Sequence, residues 1–239
     1  MYKALLSYAG TNYFGWQKTK IGPSIQETIE NALFQITQER KIVTAASRTD
    51  RGVHAKGQVI QFSLNQPWDP NALLFALNGV LPQEIRVLEF SHMHFHPTLD
   101  AISKEYHYRL NLEEIQDPHE RFYSWHVYHP VKRELIKAGG EKLLGTHDFS
   151  AFSNRDDEGE DNPICTLYKI EFDGNIFKIR GNRFLHKMVR NLVGSLIYFA
   201  SGRLSLSIED LLSSKLRKLG GITAPAHGLY LHEVEYPIK

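Results

Sequence analysis

Ala46-Ser47-Arg48-Thr49-Asp50-Arg51-Gly52-Val53-His54-Ala55 sets one carboxylate between two arginines, with a glycine two residues further on. Apolar runs lie on both sides, Lys41-Ile42-Val43 and Gln58-Val59-Ile60-Gln61-Phe62. Both read as strands, so the segment between them is a loop joining strands. A carboxylate held beside guanidinium groups stays ionised, because opposite charge favours the charged form. Such a group on a loop is either a nucleophile or half of a structural ion pair. By residue type alone the second reading is the commoner, since Asp-Arg-Gly is ordinary turn chemistry.

Working outward, Leu5-Leu6-Ser7-Tyr8 reads as a first strand. Ser24-Ile25-Gln26-Glu27 after Pro23 is a capping box, and Ile25, Ile29, Leu33 and Ile36 recur at helical spacing, so a helix is predicted to about Arg40. Asp69-Pro70 opens a second helix that Asn78-Gly79 closes. Residues 86–90 and 104–112 read as strands. Further on, a helix is predicted over 132–144, and a hairpin over 166–172 and 175–180 about Asp173-Gly174. A strongly apolar helix carries Leu185, Val189, Leu192, Val193 and Leu196; a helix over 207–216 and a closing strand over 229–236 follow. Strands and helices alternate with hairpins intermixed, which gives the α+β class with a mostly antiparallel sheet flanked by helices. A soft boundary near residue 100 separates an N-terminal half, 1–100, from a C-terminal half, 101–239.

The chain has 239 residues, of which 42% are apolar, enough for one large domain or two modest ones. No segment reaches the roughly 18 apolar residues of a membrane helix, and the N-terminus does not read as a signal peptide. The single Cys165 excludes an internal disulfide, which fits a reducing cytoplasm. Net charge is only +1, but its distribution is uneven. Residues 175–208 contain Lys178, Arg180, Arg183, Lys187, Arg190 and Arg203 and no acid, and residues 40–56 contain five basic residues against Asp50. Such stretches are the footprint of a phosphate-binding face. Acids collect instead at Asp156, Asp157, Glu158, Glu160 and Asp161, a run too polar for a core and read as an exposed loop. His92, His94 and His96 alternate and would share one face of a strand; no closing thiol or carboxylate sits at a familiar spacing, so a hydrogen-bonded row is favoured over a metal site.

Six blocks in order carry a resemblance. They are the Asp50 run; Tyr8-Ala9-Gly10-Thr11-Asn12-Tyr13-Phe14-Gly15-Trp16-Gln17; Phe95-His96 with Ala101 and Tyr106-His107-Tyr108; Leu144-Gly145-Thr146-His147-Asp148-Phe149; the run from Phe184 to Ser195; and Ala226-His227-Gly228-Leu229-Tyr230-Leu231. Together they resemble the tRNA pseudouridine synthase A (TruA) family over nearly the whole chain. The resemblance implies two similar lobes about a central cleft, acting as a single catalytic unit, and isomerisation of uridine to pseudouridine at positions 38, 39 and 40 of the tRNA anticodon stem-loop. It carries the catalytic aspartate onto Asp50, its paired arginine onto Arg190, and the tyrosine that stacks on the flipped base onto Tyr106. Arg48 and Arg51 are carried over as RNA contacts and Leu229 as a pocket wall. A homodimer is implied, with no cofactor and no metal. The chain departs from the family pattern at Ala9, Ser47, Arg51 and Thr98, where Asp, Gly, Ala and Arg are common.

Without the resemblance, Arg190 reads as an arginine at the edge of a core helix, Tyr106 as a core aromatic, Arg48 as a surface residue and Leu229 as a core leucine. Whether the carboxylate attacks sugar or base, or promotes elimination, is not written in the residues. Three other readings stand beside the synthase: a non-catalytic RNA-binding module on the same scaffold, a related synthase with another uridine target, and a metal-dependent hydrolase built on the histidine row.

Overall fold

Every second residue of Tyr2–Tyr8 is buried, the period of a half-buried strand, and this segment is β1 in the computed structural model, which describes residues 1–154 and 162–237. The order continues with α1 (Ile25–Thr37), β2 (Thr44–Ala45), β3 (His54–Phe62), α2 (Pro70–Val80) and β4 (Ile85–His92). Next come β5 (Ser103–Asn111), β6 (Trp125–His126), α3 (Arg133–Glu141), β7 (Gly145–Asp148), β8 (Ile164–Asp173) and β9 (Ile176–Gly181). The chain closes with α4 (Met188–Ala200), α5 (Ile208–Ser214) and β10 (Leu229–Glu235). The class is α+β, as the sequence predicts. None of the described helices is long and apolar enough to cross a membrane. The acidic run 156–161 lies outside the described residues.

The chain divides into two units, residues 1–102 with 230–239, and residues 103–229. In the first, β1 pairs antiparallel with β3 on one side and β4 on the other, β10 runs parallel to β3 (Tyr230 opposite His54), and β2 pairs with β3. A bulge between Leu6 and Tyr8 shifts the β1–β3 register near His54. Bulges re-aim a strand end, and this one lies next to the residues that follow Asp50. In the second unit, β9 pairs antiparallel with both β5 and β8, β8 pairs with β7, and β6 runs parallel to β5. Its core helix α4 is buried around nearly its whole circumference.

The predicted helix starts hold: Ser24 and Asp69 side chains accept from Glu27 N and Ala72 N. Several boundaries differ, each for a visible reason. Residues 41–43 do not form a strand. Glu30 Oε1 accepts from Val43 N at 3.0 Å and Gln26 Nε2 donates to Val43 O at 3.2 Å, so α1 side chains take Val43's backbone bonds and pairing begins only at Thr44. Helix α1 stops at Thr37 because Gln38 turns left-handed. Asn78-Gly79 does not end α2: both polar atoms of the Asn78 amide bond the backbone of Val87 in β4. Helices α3 and α5 end at Glu141 and Ser214, short of the predicted 144 and 216. Helix α4 begins at Met188, after Leu185. The hairpin turns on Gly174-Asn175, both with positive φ, because Asp173 still pairs with Ile176. β4 ends at His92, so His94 and His96 lie past the strand. His96 Nδ1 instead accepts from Thr98 N and Leu99 N in a tight turn.

Candidate active site

Asp50 lies on the connection from β2 to β3. Its carbonyl accepts from Val53 N at 3.1 Å, closing a turn whose third residue, Gly52, has φ of 80°, a conformation that favours glycine. The carboxylate-bearing residue is half-buried and is bracketed by fixed neighbours. Trp16 N donates to Thr49 O at 2.9 Å, Gly52 N donates to Tyr13 O at 3.3 Å, and Gly10 N donates to His54 Nδ1 at 3.1 Å. The segment 10–16 thus holds the loop on both sides of Asp50, and Ile25 N and Gln26 N in turn fix that segment to the start of α1 by bonding Gly15 O and Trp16 O. Gly15 has φ of 97°, and a Cβ there would stand 2.7 Å from Thr49 O. The closeness of the two backbones explains why this segment is glycine-rich.

A buried polar layer supports the loop from below. The Tyr8 hydroxyl shares a 2.8 Å hydrogen bond with Thr49 Oγ1, and burial pushes its phenol up to about 12, so the proton stays on. Gln58 is 0% exposed; its amide donates to Ser47 O at 2.7 Å and accepts from Ser47 N at 3.3 Å. Replacing Gln58 by Leu leaves both Ser47 groups without that partner in a region largely closed to water. Thermal denaturation of Gln58→Leu is expected to show a loss of roughly 1–3 kcal/mol; a melting curve matching wild type would contradict this support.

Arg48 is exposed, while the Arg51 guanidinium stands 4.2 Å over the Phe14 ring. That cation–π contact is worth roughly 0.5–1 kcal/mol at an exposed site. The departures from the family pattern have local partners. Ser47 is the residue gripped by Gln58, Ala9 N donates to Glu84 O, and Thr98 Oγ1 donates to Ala45 O at 3.0 Å beside the loop's first strand.

In the second unit, Arg190 stands in the first turn of α4. Its Nε donates to Ala224 O at 2.8 Å while Ala224 N donates to Arg190 O at 3.1 Å. The segment 221–225 that presents Ala224 is itself fixed. Arg217 donates to Gly221 O, Asn191 Oδ1 and Thr223 Oγ1, and Asn191 donates to Phe152 O and to Asn154 Oδ1. Asn191 is wholly buried, and its amide is used on both sides. The positive charge of Arg190 reaches Tyr108 and His227. Burial first, then Arg190, lowers the His227 imidazole pKa and favours its neutral form. Tyr108, raised by burial, donates to Pro225 O at 2.8 Å. Tyr106 is 6% exposed on β5 and meets the Phe184 ring edge-on at 5.1 Å. Leu229 is buried at the start of β10.

The profile of a family described as tRNA pseudouridine synthase matches residues 4–94 and 141–237. The chain belongs to the tRNA pseudouridine synthase family. It is 41% identical to tRNA pseudouridine synthase A 2 of Protochlamydia amoebophila (strain UWE25), over 98% of this chain and 93% of that protein. It is 40% identical to tRNA pseudouridine synthase A of Chlamydia felis (strain Fe/C-56), over 98% and 90%, and 38% identical to that of Thermoanaerobacter sp. (strain X514), over 97% and 98%. Asp50, Arg48, Arg51, Arg190 and Leu229 fall within the family's matched stretches, and Tyr106 falls between them.

The loop places Arg48, Asp50 and Arg51 together in the first unit, and the second unit holds Tyr106, Arg190 and Leu229. The sequence marks the residues expected to face RNA but not those that hold them. Gln58 looks like an ordinary strand residue, Arg217 and Thr223 lie in no motif, and Tyr8 and Asn191 lie within resembling blocks that attach no role to them. Only their burial and bonding single them out.

Proposed function

We propose that this chain isomerises uridine to pseudouridine in tRNA, at positions 38, 39 and 40 of the anticodon stem-loop. Asp50 is the nucleophile in this reading. The observation that supports it most is the loop geometry: bonds from Ser47, Thr49, Gly52 and His54 tie the loop to the scaffold on both sides of Asp50 and so fix where its carboxylate is presented. Arg190 aims that carboxylate, as a bidentate guanidinium does. Tyr106 stacks on the uracil, Leu229 lines its pocket, and Arg48 and Arg51 contact RNA.

The bond from N1 to the sugar breaks, a bond from C5 to the same carbon forms, the hydrogen on C5 leaves to solvent and N1 takes up a proton. Atoms and electrons balance without a redox step, so the reading includes no cofactor and no metal. A nucleophile keeps an intermediate in hand while the uracil turns. The uridine must leave its stack first, which costs about a few kcal/mol, and base stacking on an aromatic side chain returns about 1–3 kcal/mol. The halves 1–100 and 101–239 work as one catalytic unit, as a homodimer in the cytoplasm; the single, buried Cys165 accords with a reducing compartment.

The test is a tRNA transcript tritiated at C5 of uridine. Release of tritium, with pseudouridine mapped to 38–40, is the expected result. Release with pseudouridine at other positions would replace the target, and stoichiometric binding without release would leave an RNA-binding module instead.

A further inference from the structure

Most cations on the sheet of the second unit have an acid against them. Arg180 Nε donates to Glu105 at 2.9 Å, Lys169 pairs with Glu171 at 3.2 Å, and Arg109 lies 3.9 Å from Glu120. Lys104 and Arg183 differ. Among the described residues, neither the Lys104 ammonium nor the Arg183 guanidinium has a hydrogen bond, an ion pair or a ring contact. Lys104 is paired opposite Gly181 in the β5–β9 ladder, two residues before Arg183, and lies within its field. A mostly desolvated cation beside a second cation, with no counter-charge among the described residues, is an arrangement that folding alone disfavours. Burial, and then Arg183, pull the Lys104 ammonium down to about 8.

Their position supplies a reason for tolerating this cost. Lys104 and Tyr106 are two residues apart on β5 and so face the same way. Arg183 directly precedes Phe184, whose ring meets Tyr106 at 5.1 Å. Lys104 and Arg183 therefore each stand within two residues of the Tyr106–Phe184 ring contact. A compact ammonium and a planar guanidinium within each other's field suit an anion with several acceptor oxygens.

We propose that Lys104 and Arg183 form a phosphate-binding pair that takes the RNA backbone phosphate next to the uridine stacked on Tyr106. This rests on the pseudouridine synthase reading and adds a contact to it. Glu105 points to the opposite face of β5, where it bonds His107 and Arg180, so it does not neutralise the pair.

The experiment measures Kd of the full chain for an unmodified tRNA transcript across a salt series and between pH 7 and 9. Wild type is compared with Lys104→Met, Arg183→Met and Lys104→Arg. Each Met variant is expected to bind roughly three- to tenfold more weakly, with a salt dependence shallower by about one ion, since each neutralised phosphate releases about one counterion. A lysine near 8 is charged below that pH and must take up a proton to hold phosphate above it. Wild-type affinity is thus expected to fall as pH rises from 7 to 9. Lys104→Arg should keep the affinity and lose that pH dependence. Lys104→Met should melt no lower than wild type, because it removes a desolvated, unpaired charge.

Unchanged Kd and salt slope in both Met variants would overturn the pair. So would a lowered melting temperature with an unchanged slope, which would make Lys104 structural. Tritium release by wild type keeps the two readings apart. Release with unchanged slopes rejects the phosphate pair alone, and altered slopes without release keep the pair and reject the reaction.

Discussion

Gly10→Ala is expected to cripple the enzyme without touching a single residue assigned to chemistry. A Cβ on Gly10 falls far inside van der Waals contact of the Val53 carbonyl oxygen and close to Gly52. Both partners are backbone, so no side chain can swing aside. Either segment 10–16 or the turn 50–53 must move. Forced overpacking of this kind costs roughly 1–3 kcal/mol, a fall of several degrees in melting temperature for a chain of this size. The larger effect is on turnover. Gly10 N donates to His54 Nδ1, and Tyr13 and Trp16 bond the residues on either side of Asp50, so the displacement passes to the carboxylate. A misplacement of about 1 Å at a reacting group costs roughly a hundredfold in rate. Denaturation and kcat measured together check this. A Gly10→Ala enzyme with wild-type kcat would show that the segment does not position Asp50.

Asp50→Asn is the second, with the opposite signature. Asn has nearly the same shape, and the backbone bonds that Val53, Tyr13 and Trp16 make to the turn do not depend on which side chain stands at position 50. Melting temperature should change little, and tRNA should still bind within a few-fold of wild type, because phosphate contacts dominate affinity. Turnover should fall by about four orders of magnitude or more, the scale seen when a nucleophile or its unit is removed. The contrast between the variants is informative. One changes the frame and loses both stability and rate, and the other changes the reacting atom and loses rate alone.

Strand β1 and the starts of α1 and α2 announce themselves, because alternation, a serine cap with Glu27 and an Asp-Pro pair are local signals. The ends of elements do not. Val43 reads as strand until Glu30 and Gln26 of α1 claim its backbone, and Asn78 reads as a helix stop until β4 supplies Val87 as its partner. Both outcomes depend on what lies across space. The site divides in the same way. Asp50 and Arg190 stand out through resemblance, which encodes chemistry. Gln58, Tyr8 and Arg217 act through burial and through bonds to residues 4 to 41 positions away. Lys104 is one lysine among many until its lack of a partner among the described residues is seen.

The most direct test of the central claim places wild type and Asp50→Asn side by side on tRNA tritiated at C5 of uridine, with binding measured on the same preparations. Forming the new carbon bond expels that hydrogen, so release reports the isomerisation itself. The account predicts release by wild type, none above background by Asp50→Asn, and binding of the tRNA by both. Release by Asp50→Asn at the wild-type rate would contradict it, and the nucleophile would have to be sought elsewhere.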